Sequence, residues 1–592
     1  MSLQGSEYPE LQQHTYKPYI HQLDPAYFLP RAAAIDPTAP AIIHKCRSGR
    51  TVNRTYGEFA DRARRLAAHF KRTYSASTKI GILASSTPMF LEVLYGTAGS
   101  GLTQASFNYR LSAPEIRDVV RIGGVGVIVV DIDFLPLLEQ ALAGKIKSYT
   151  IIVDLDWDDD TYPEELARFR HAGYMYATLG ELFESLKMDR TPYDDLHFDN
   201  VPENNVLALA FTSGTTNLPK AVELTHRGMY LSAMGHIIES ELNRSSGCRY
   251  LWTLPMFHAG GWSFPYAVTA VRGIHICLRK VNYDLIWDYL LAGPGKCVTH
   301  FNAAPTVNIQ LCEHPRATRL AERVNVTVAA SPPSPALFRR MMSLNLNPVH
   351  TYGLTETYGP MTRCYVLPSW ESGPADVLYQ KMAQQGHGFV TAQKIRVVKS
   401  SSNDELVDVA SDGKEIGEII FRGNTVMKGY HNNAAATLKA FRGGWLHTGD
   451  LAVMHADGNV EILDRDKDII ISGGENISSV AVENVIQAHP DVVEAAIVGI
   501  PDLTYGERPK AFIVLRQSGT EKTPEEFTKE IIAFARTRLG GFQIPRTIEI
   551  VDELPKTTTG KIRKKQLRET ERAKFEMAQK TKTTAAHRQV FA

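Results

Sequence analysis

The stretch 211-FTSGTTNLPKAV-222 places Ser213, Thr215, Thr216 and Lys220 around Gly214, and its reading decides which kind of α/β fold carries it. It follows the apolar run Val206 to Phe211, which reads as a buried strand, and precedes Leu224 to Ser240, whose apolar spacing suits a helix. Strand, hydroxyl-rich loop and helix together can surround a polyphosphate with backbone N–H groups and a lysine. The P-loop pattern needs a second glycine before its lysine and a hydroxyl after it. Pro219 and Ala221 stand at those two places. A phosphate loop here is therefore of another type, and a serine- and threonine-rich surface turn is the plain alternative.

Working outward, helix and strand alternate: a helix over Tyr56 to Phe70, a strand over Lys79 to Ala84, a helix over Met89 to Ala98, a strand over Val125 to Val130. Such alternation predicts a parallel α/β sheet. It resumes at Val206 and continues past Tyr352. From Lys394 the texture changes to short strands with turn glycines (KIRVVKS, GEIIFRG, GNVEILDR), which predicts a β-rich subdomain. The charged run Asp464-Arg465-Asp466-Lys467-Asp468 then interrupts the apolar pattern, and a further α/β stretch follows. We divide the chain there, into 1–465 and 466–592.

A chain of 592 residues has room for several cores. With 44% apolar and 22% charged residues and a formal charge of +1, bulk electrostatic binding to nucleic acid or membrane is not expected. The stretch from Lys561 to Ala592 carries ten Lys/Arg against three Glu, read as a solvated basic helix face. Six cysteines lie scattered without C-x-x-C spacing, so neither a disulfide framework nor structural zinc is expected. The opening MSLQGSEYPELQQH lacks a basic and an apolar signal region, and the longest apolar stretch, Gly123 to Val130, is too short to span a bilayer. An intracellular, cytoplasmic location is expected. A peroxisomal one stays open, although the final residues are not an S-K-L address.

Four more stretches hold polar groups where a core would want none. In 351-TYGLTETYG-359, Thr355 and Glu356 follow a glycine turn, and a hydroxyl beside a carboxylate suits Mg²⁺ held against phosphate. In 443-GGWLHTGDLA-452, Asp450 can accept hydrogen bonds from a ribose diol. In 461-EILDRDKDIIISGGENIS-478, Arg465 offers a planar fork, and Gly473-Gly474 allows a ligand close to the backbone. In 554-LPKTTTGKIRK-564, Lys561 sits in a polar loop.

Taken in order, the five stretches resemble those of the AMP-forming adenylating superfamily of acyl-CoA synthetases, luciferases and peptide-synthetase adenylation domains, from about Thr55 to Leu567. The resemblance implies a large N-terminal domain of two α/β sheet subdomains plus a β-barrel-like subdomain, with a small mobile α+β C-terminal domain. It implies that Thr212, Ser213, Gly214, Thr215, Thr216 and Lys220 grip the outer phosphates of ATP. It sets Tyr352 and Gly353 near the base, with Ala330 and Ser331 in the adenine wall, Thr355 on the α-phosphate, Glu356 on Mg²⁺, and Asp450 and Arg465 on the ribose. Lys561 becomes the adenylation lysine and Lys467 the hinge. Gly473, Gly474, Glu475 and Asn476 form a loop that serves thioester formation with CoA. The chain departs from the pattern at Asn217 and Ala221, where the family's loop has glycines, at Ala329 to Pro333, and at Ala481.

The segments 254-LPMFHAGGWSFPYA-267 and 299-THFNAAPTV-307 resemble acyl-pocket segments of the fungal and plant fatty- and short-chain acyl-activating branch. By that resemblance His258 gates the acyl site, and Trp262, Asn302, Ala303 and Ala304 line it. Trp262 reads equally as a core aromatic. A tryptophan blocking the tunnel would restrict the acid to short or medium chains, branched or hydroxylated. The reading is thus an ATP-dependent ligase of a carboxylic acid and CoA. A stand-alone ligase loading a carrier protein and a catalytically silent nucleotide or acyl sensor are the alternatives.

Overall fold

The computed structural model describes residues 21–156, 176–198, 201–212, 218–243, 247–258, 261, 263–293, 295–399, 405–465, 467–473, 475–516, 523–557 and 561–590. Among them the chain builds four sheets, of eight, nine, four and five strands. In the eight-stranded sheet the strands Val206–Thr212, Thr103–Ser106, Lys79–Leu83, Val127–Asp131, Thr150–Asp154 and Tyr176–Thr178 run parallel in that spatial order. Val127–Asp131 is buried along its whole length, as a strand covered on both faces must be, which is why it reads as an unbroken apolar run.

The helices follow local rules. Tyr56–Thr73 starts at Thr55, whose hydroxyl accepts from Glu58 N–H (3.2 Å) while Glu58 Oε2 accepts from Thr55 N–H (2.8 Å), a reciprocal capping box. Its buried face carries Phe59, Ala63, Leu66 and Phe70 at helical spacing. The helix Pro88–Ser100 is buried on every side, since the main core gathers residues from both large sheets around it.

The nine-stranded sheet holds Pro40–Lys45, Ile274–Cys277, Arg249–Leu251, His300–Ala303, Val324–Val328 and Leu346–Leu354, parallel through its centre. The four-stranded antiparallel sheet is the β-rich subdomain expected. Its strands are Arg396–Val398, Gly417–Phe421, Leu446–Met454 and Val460–Arg465, in an open path. After Arg465 the next strand, Ile470–Ser472, belongs to the five-stranded sheet, on whose core the helices Ser479–Gln487 and Pro524–Arg536 pack.

One expectation is corrected. The loop after Val206–Thr212 does not lead straight into a helix. It returns as the strand Lys220–Thr225, antiparallel to its predecessor with Thr212 opposite Lys220, and only then does the helix His226–Glu239 begin. Thr225 decides the boundary by capping that helix, its hydroxyl accepting from Gly228 N–H at 3.1 Å. The apolar residues before it, Ala221, Val222 and Leu224, are all buried.

Candidate active site

A cleft of about 1810 Å³ opens where the two large sheets, the four-stranded sheet and the C-terminal unit meet. Strand pairing assembles its first wall. Asp450 on Leu446–Met454 lies directly opposite Arg465 on Val460–Arg465. Register therefore places Arg465 Nε 3.4 Å from Asp450 Oδ1. Asp450 is buried, and Tyr352 Oη donates to its Oδ2 at 2.6 Å, while the Tyr352 ring tilts against Phe421. Burial, and then the Asp450 carboxylate, holds the Tyr352 phenol above its ordinary range, so it stays a donor.

Gly353 sits at the bend between Leu346–Leu354 and Gly359–Arg363. A Cβ there would meet the Gly359 carbonyl oxygen at 2.0 Å, so the approach requires glycine. Thr355 and Glu356 follow in a single 3₁₀ turn. Tyr358, in the left-handed region at φ 62°, accepts at its Oη from Thr225 N–H (2.7 Å), tying this turn to the cap of the His226–Glu239 helix.

Glu356 and Lys220 are joined by a residue that the sequence did not single out. Tyr430 Oη donates to Glu356 Oε1 at 2.8 Å, and Lys220 Nζ stands 4.5 Å from the centre of the Tyr430 ring. Tyr430 arrives through the short strand Gly429–Tyr430, which pairs with Lys220–Thr225, Tyr430 opposite Val222. No local pattern could reveal it, because its partners are about two hundred residues distant in one case and seventy-four in the other. Ala330 and Ser331 also line the cleft, and Ala330 takes φ 80°, a conformation ordinarily left to glycine.

Lys561 reaches the same cleft from the far end of the chain. Thr557 N–H donates to the Lys561 carbonyl (2.6 Å), and the Lys561 N–H donates to Thr557 Oγ1 (3.1 Å). Burial, and then Arg465, lowers its ammonium from the ordinary 10.5 to about 8, with Asp450 and Asp468 pulling the other way. Beneath it Lys564 pairs with Glu483 (2.7 Å) and donates to Ser479 Oγ (2.5 Å), and Ser479 donates from N–H (2.8 Å) and Oγ (2.5 Å) to Asp464 Oδ2.

His258 lines the cleft beside Phe257, and its Nε2 has no hydrogen-bond partner among the described residues. Burial, and then Arg110, lowers this imidazole to about 3, so it is neutral at neutral pH. Of the residues expected in the acyl wall, Asn302 and Ala303 are buried in the His300–Ala303 strand and Ala304 caps the next helix, and it is Pro305, Thr306 and Ile309 that line the cleft. Strand alternation and the helix start turn the later residues outward.

Gly473 and Glu475 lie at the end of the hairpin Ile470–Ser472/Glu475–Ile477, apart from the cleft lining, with Gly473 N–H donating to Tyr505 O at 2.8 Å. Lys467 lies in the turn between Arg465 and Ile470. Ser213, Gly214, Thr215, Thr216, Trp262 and Gly474 lie outside the described residues, as does the side chain of Asn476.

Known proteins resemble this chain in sequence and in fold. The family model described as AMP-binding enzyme matches residues 29–431, and that of the AMP-binding enzyme C-terminal domain matches residues 481–561. The chain is 37% identical to the peroxisomal acetate/butyrate–CoA ligase AAE7 of Arabidopsis thaliana, over 92% of this chain and 94% of that protein. It is 36% identical to 4-hydroxybutyrate–CoA ligase 2 of Metallosphaera sedula, over 93% and 95%. A benzoate CoA ligase structure from Burkholderia xenovorans LB400 superposes with a TM-score of 0.75 at 21% identity, over 92% of this chain and 99% of that one, a likeness of fold.

Proposed function

The chain belongs to the AMP-binding enzyme family, and from that premise we propose how its cleft works and on which acids. It is an ATP-dependent, AMP-forming carboxylate–CoA ligase, and its partners are a carboxylic acid, ATP and CoA. In the first step a carboxylate oxygen attacks the α-phosphorus of ATP, forming the acyl–phosphate bond as the bond to pyrophosphate breaks. In the second the CoA sulfur attacks the acyl carbonyl, and AMP leaves.

The observation that carries our assignment of roles is Lys561 in one cleft with Asp450, Arg465, Thr355 and Glu356. Two anions must approach in the first step, so positive charge is needed where they meet. The Lys561 ammonium supplies it. Asp450 and Arg465 hold the ribose, Tyr352 and Gly353 with Ala330 and Ser331 the base, and Thr212 to Lys220 the outer phosphates. The residues present fit Mg²⁺: Glu356 offers an oxygen ligand oriented by Tyr430, and such an ion asks for one or two carboxylates besides phosphate oxygens. When bound it supplies charge neutralisation at the triphosphate.

The second step requires different groups at the same place. We assign the hinge to Lys467, between residues 1–465 and 466–592, and the thioester role to Gly473 to Asn476. The separation of Gly473 and Glu475 from the cleft, while Lys561 occupies it, supports a pose poised for the first step.

For the acid, we infer a small monocarboxylate of short or medium chain, branched or hydroxylated. The names of the relatives acting on acetate, butyrate and 4-hydroxybutyrate support this. His258, neutral and with a bare nitrogen, can accept or donate one hydrogen bond at its entrance. Pyrophosphate and AMP release should be measured with ATP, Mg²⁺ and CoA across acids from acetate to palmitate. Hexanoate and small branched or hydroxy acids should outpace palmitate; the reverse order would overturn the substrate class, and no AMP with any acid would overturn the activity. We place the chain inside the cell, where its six thiols stay reduced.

A further inference from the structure

Asp450 sits where its strand falls out of register with both neighbours. Against Gly417–Phe421 the ladder pairs Gly417 with Ala452 and Glu418 with Leu451, then resumes at Ile420 with His447, so that Thr448, Gly449 and Asp450 stand opposite Ile419 alone. Against Val460–Arg465 the register shifts between Leu451 and Ala452. Bulges of this kind bend a strand and re-aim its side chains, and the backbone groups they free need other partners. Gly449 takes φ 72° with open space where a Cβ would stand, so the backbone angle and not crowding calls for glycine.

Two side chains take over where the ladder stops. Glu418 Oε1 accepts from Gly449 N–H at 2.8 Å. Thr448 Oγ1 donates to Ile419 O (2.8 Å) and accepts from Asp450 N–H (3.1 Å), which fixes the backbone of Asp450 itself. The other oxygen of Glu418 accepts from His447 Nδ1 at 2.7 Å, and His447 Nε2 stands 3.2 Å from Arg442 O. Burial opposes the charge on Glu418, but His447 and the Gly449 N–H hold its carboxyl below the ordinary range, so it stays an acceptor. A surface ion pair with Arg442 is the plain alternative for Glu418. At 3.8 Å and with the guanidinium half exposed, that contact contributes little. Gly449 is itself exposed, so water can serve its N–H, and what Glu418 adds is a fixed geometry.

We propose that Glu418 and Thr448 are positioning residues for nucleotide selection: together they hold the bulge at 448–450 in the shape that presents the Asp450 carboxylate to the ribose diol beside Arg465. They thereby set a preference for ATP over deoxynucleotides, acting through Asp450 and not on the reacting atoms. The proposal rests on the ribose role given to Asp450 above.

Dissociation constants of the full chain for ATP, 2′-deoxy-ATP and 3′-deoxy-ATP, each with Mg²⁺ and without acid or CoA, should be measured by titration calorimetry. The native chain should bind the deoxynucleotides roughly tenfold more weakly than ATP, as expected for loss of a hydrogen bond to a charged group. Glu418→Met keeps an unbranched side chain but offers no oxygen, and Thr448→Val keeps the shape without the hydroxyl. Each should weaken ATP roughly tenfold and leave the deoxynucleotides within about twofold, so that the preference collapses. Glu418→Gln, whose amide oxygen can still accept from Gly449 N–H, should retain most of it. In an Asp450→Ala background, Glu418→Met should cost no further ATP affinity. Loss of all three affinities alike, with the ratio kept, is what a merely structural role produces and overturns the proposal. A preference that survives either variant removes that residue from the role. No native preference over either deoxynucleotide overturns the ribose role of Asp450 and this proposal with it. Should Glu418→Met fail to fold, Thr448→Val decides.

Discussion

Lys561 carries a charge that its surroundings oppose. Its ammonium titrates at about 8 in the fold against an ordinary 10.5, through burial first and Arg465 second. The group is cationic below about 8 and neutral above, so kcat/KM for ATP in the adenylation half-reaction should fall as pH rises through that value. Stability has the opposite sign: between about 8 and 10.5 the unfolded chain binds the extra proton, so this group's cost to folding fades as pH rises. Lys561→Ala should abolish pyrophosphate release yet spare thioester formation from a pre-made acyl-adenylate, whereas Lys561→Arg should keep weak activity and lose the limb near pH 8. Equal failure of both half-reactions in a folded Lys561→Ala protein would remove the role. At this scale the sequence was informative for Lys561, Asp450, Arg465 and Glu356, whose polar chemistry is out of place in a core. It was silent on Tyr430, a tyrosine on a two-residue strand with no local pattern around it.

At the scale of elements, the hairpin that replaces the expected strand-to-helix step changes how the phosphate loop is held. Its two ends are clamped in one antiparallel ladder, and Gly429–Tyr430 adds a third strand beside it. Lys220 and Tyr430 are thereby fixed at one edge of the eight-stranded sheet, and Tyr430 reaches from there to the Glu356 turn of the nine-stranded one. Tyr430→Phe keeps the ring under Lys220 but removes the donor to Glu356. A hydrogen bond to a charged group of this kind predicts a loss of roughly tenfold in kcat/KM for ATP with Mg²⁺ and little change for CoA. Steady-state kinetics in each substrate checks this, and an unchanged ATP dependence would count against the Tyr430–Glu356 link. The error over Leu224 to Ser240 has a simple cause. Apolar spacing cannot separate a short strand from the helix it runs into, and the cap at Thr225 marks the boundary more sharply than periodicity does.

For the whole molecule, the contacts across the proposed hinge set which half-reaction the chain is ready for. Ser478 Oγ donates to Leu463 O (2.6 Å) and Ser479 to Asp464, so the helix Ser479–Gln487 rests on the last strand before the hinge. Rotation of 466–592 would break these bonds. Lys467→Pro fixes φ in the connecting turn, and should slow thioester formation several-fold more than adenylation, measured by rapid quench of each half-reaction. Equal slowing of the two would remove Lys467 from the hinge.

The sequence by itself determined the alternation of strands and helices, the division of texture near Lys394 and Asp464, and the family to which five ordered polar stretches belong. Those properties reside in short-range periodicity and in residue chemistry that needs no partner to be noticed. Only the tertiary structure decided that Pro305, Thr306 and Ile309 rather than Asn302 to Ala304 face the cleft, and that Tyr430 bridges Lys220 and Glu356. Each depends on strand register between segments far apart in the chain. A register shift of one residue reverses which side chains share a face, and no local pattern records that choice.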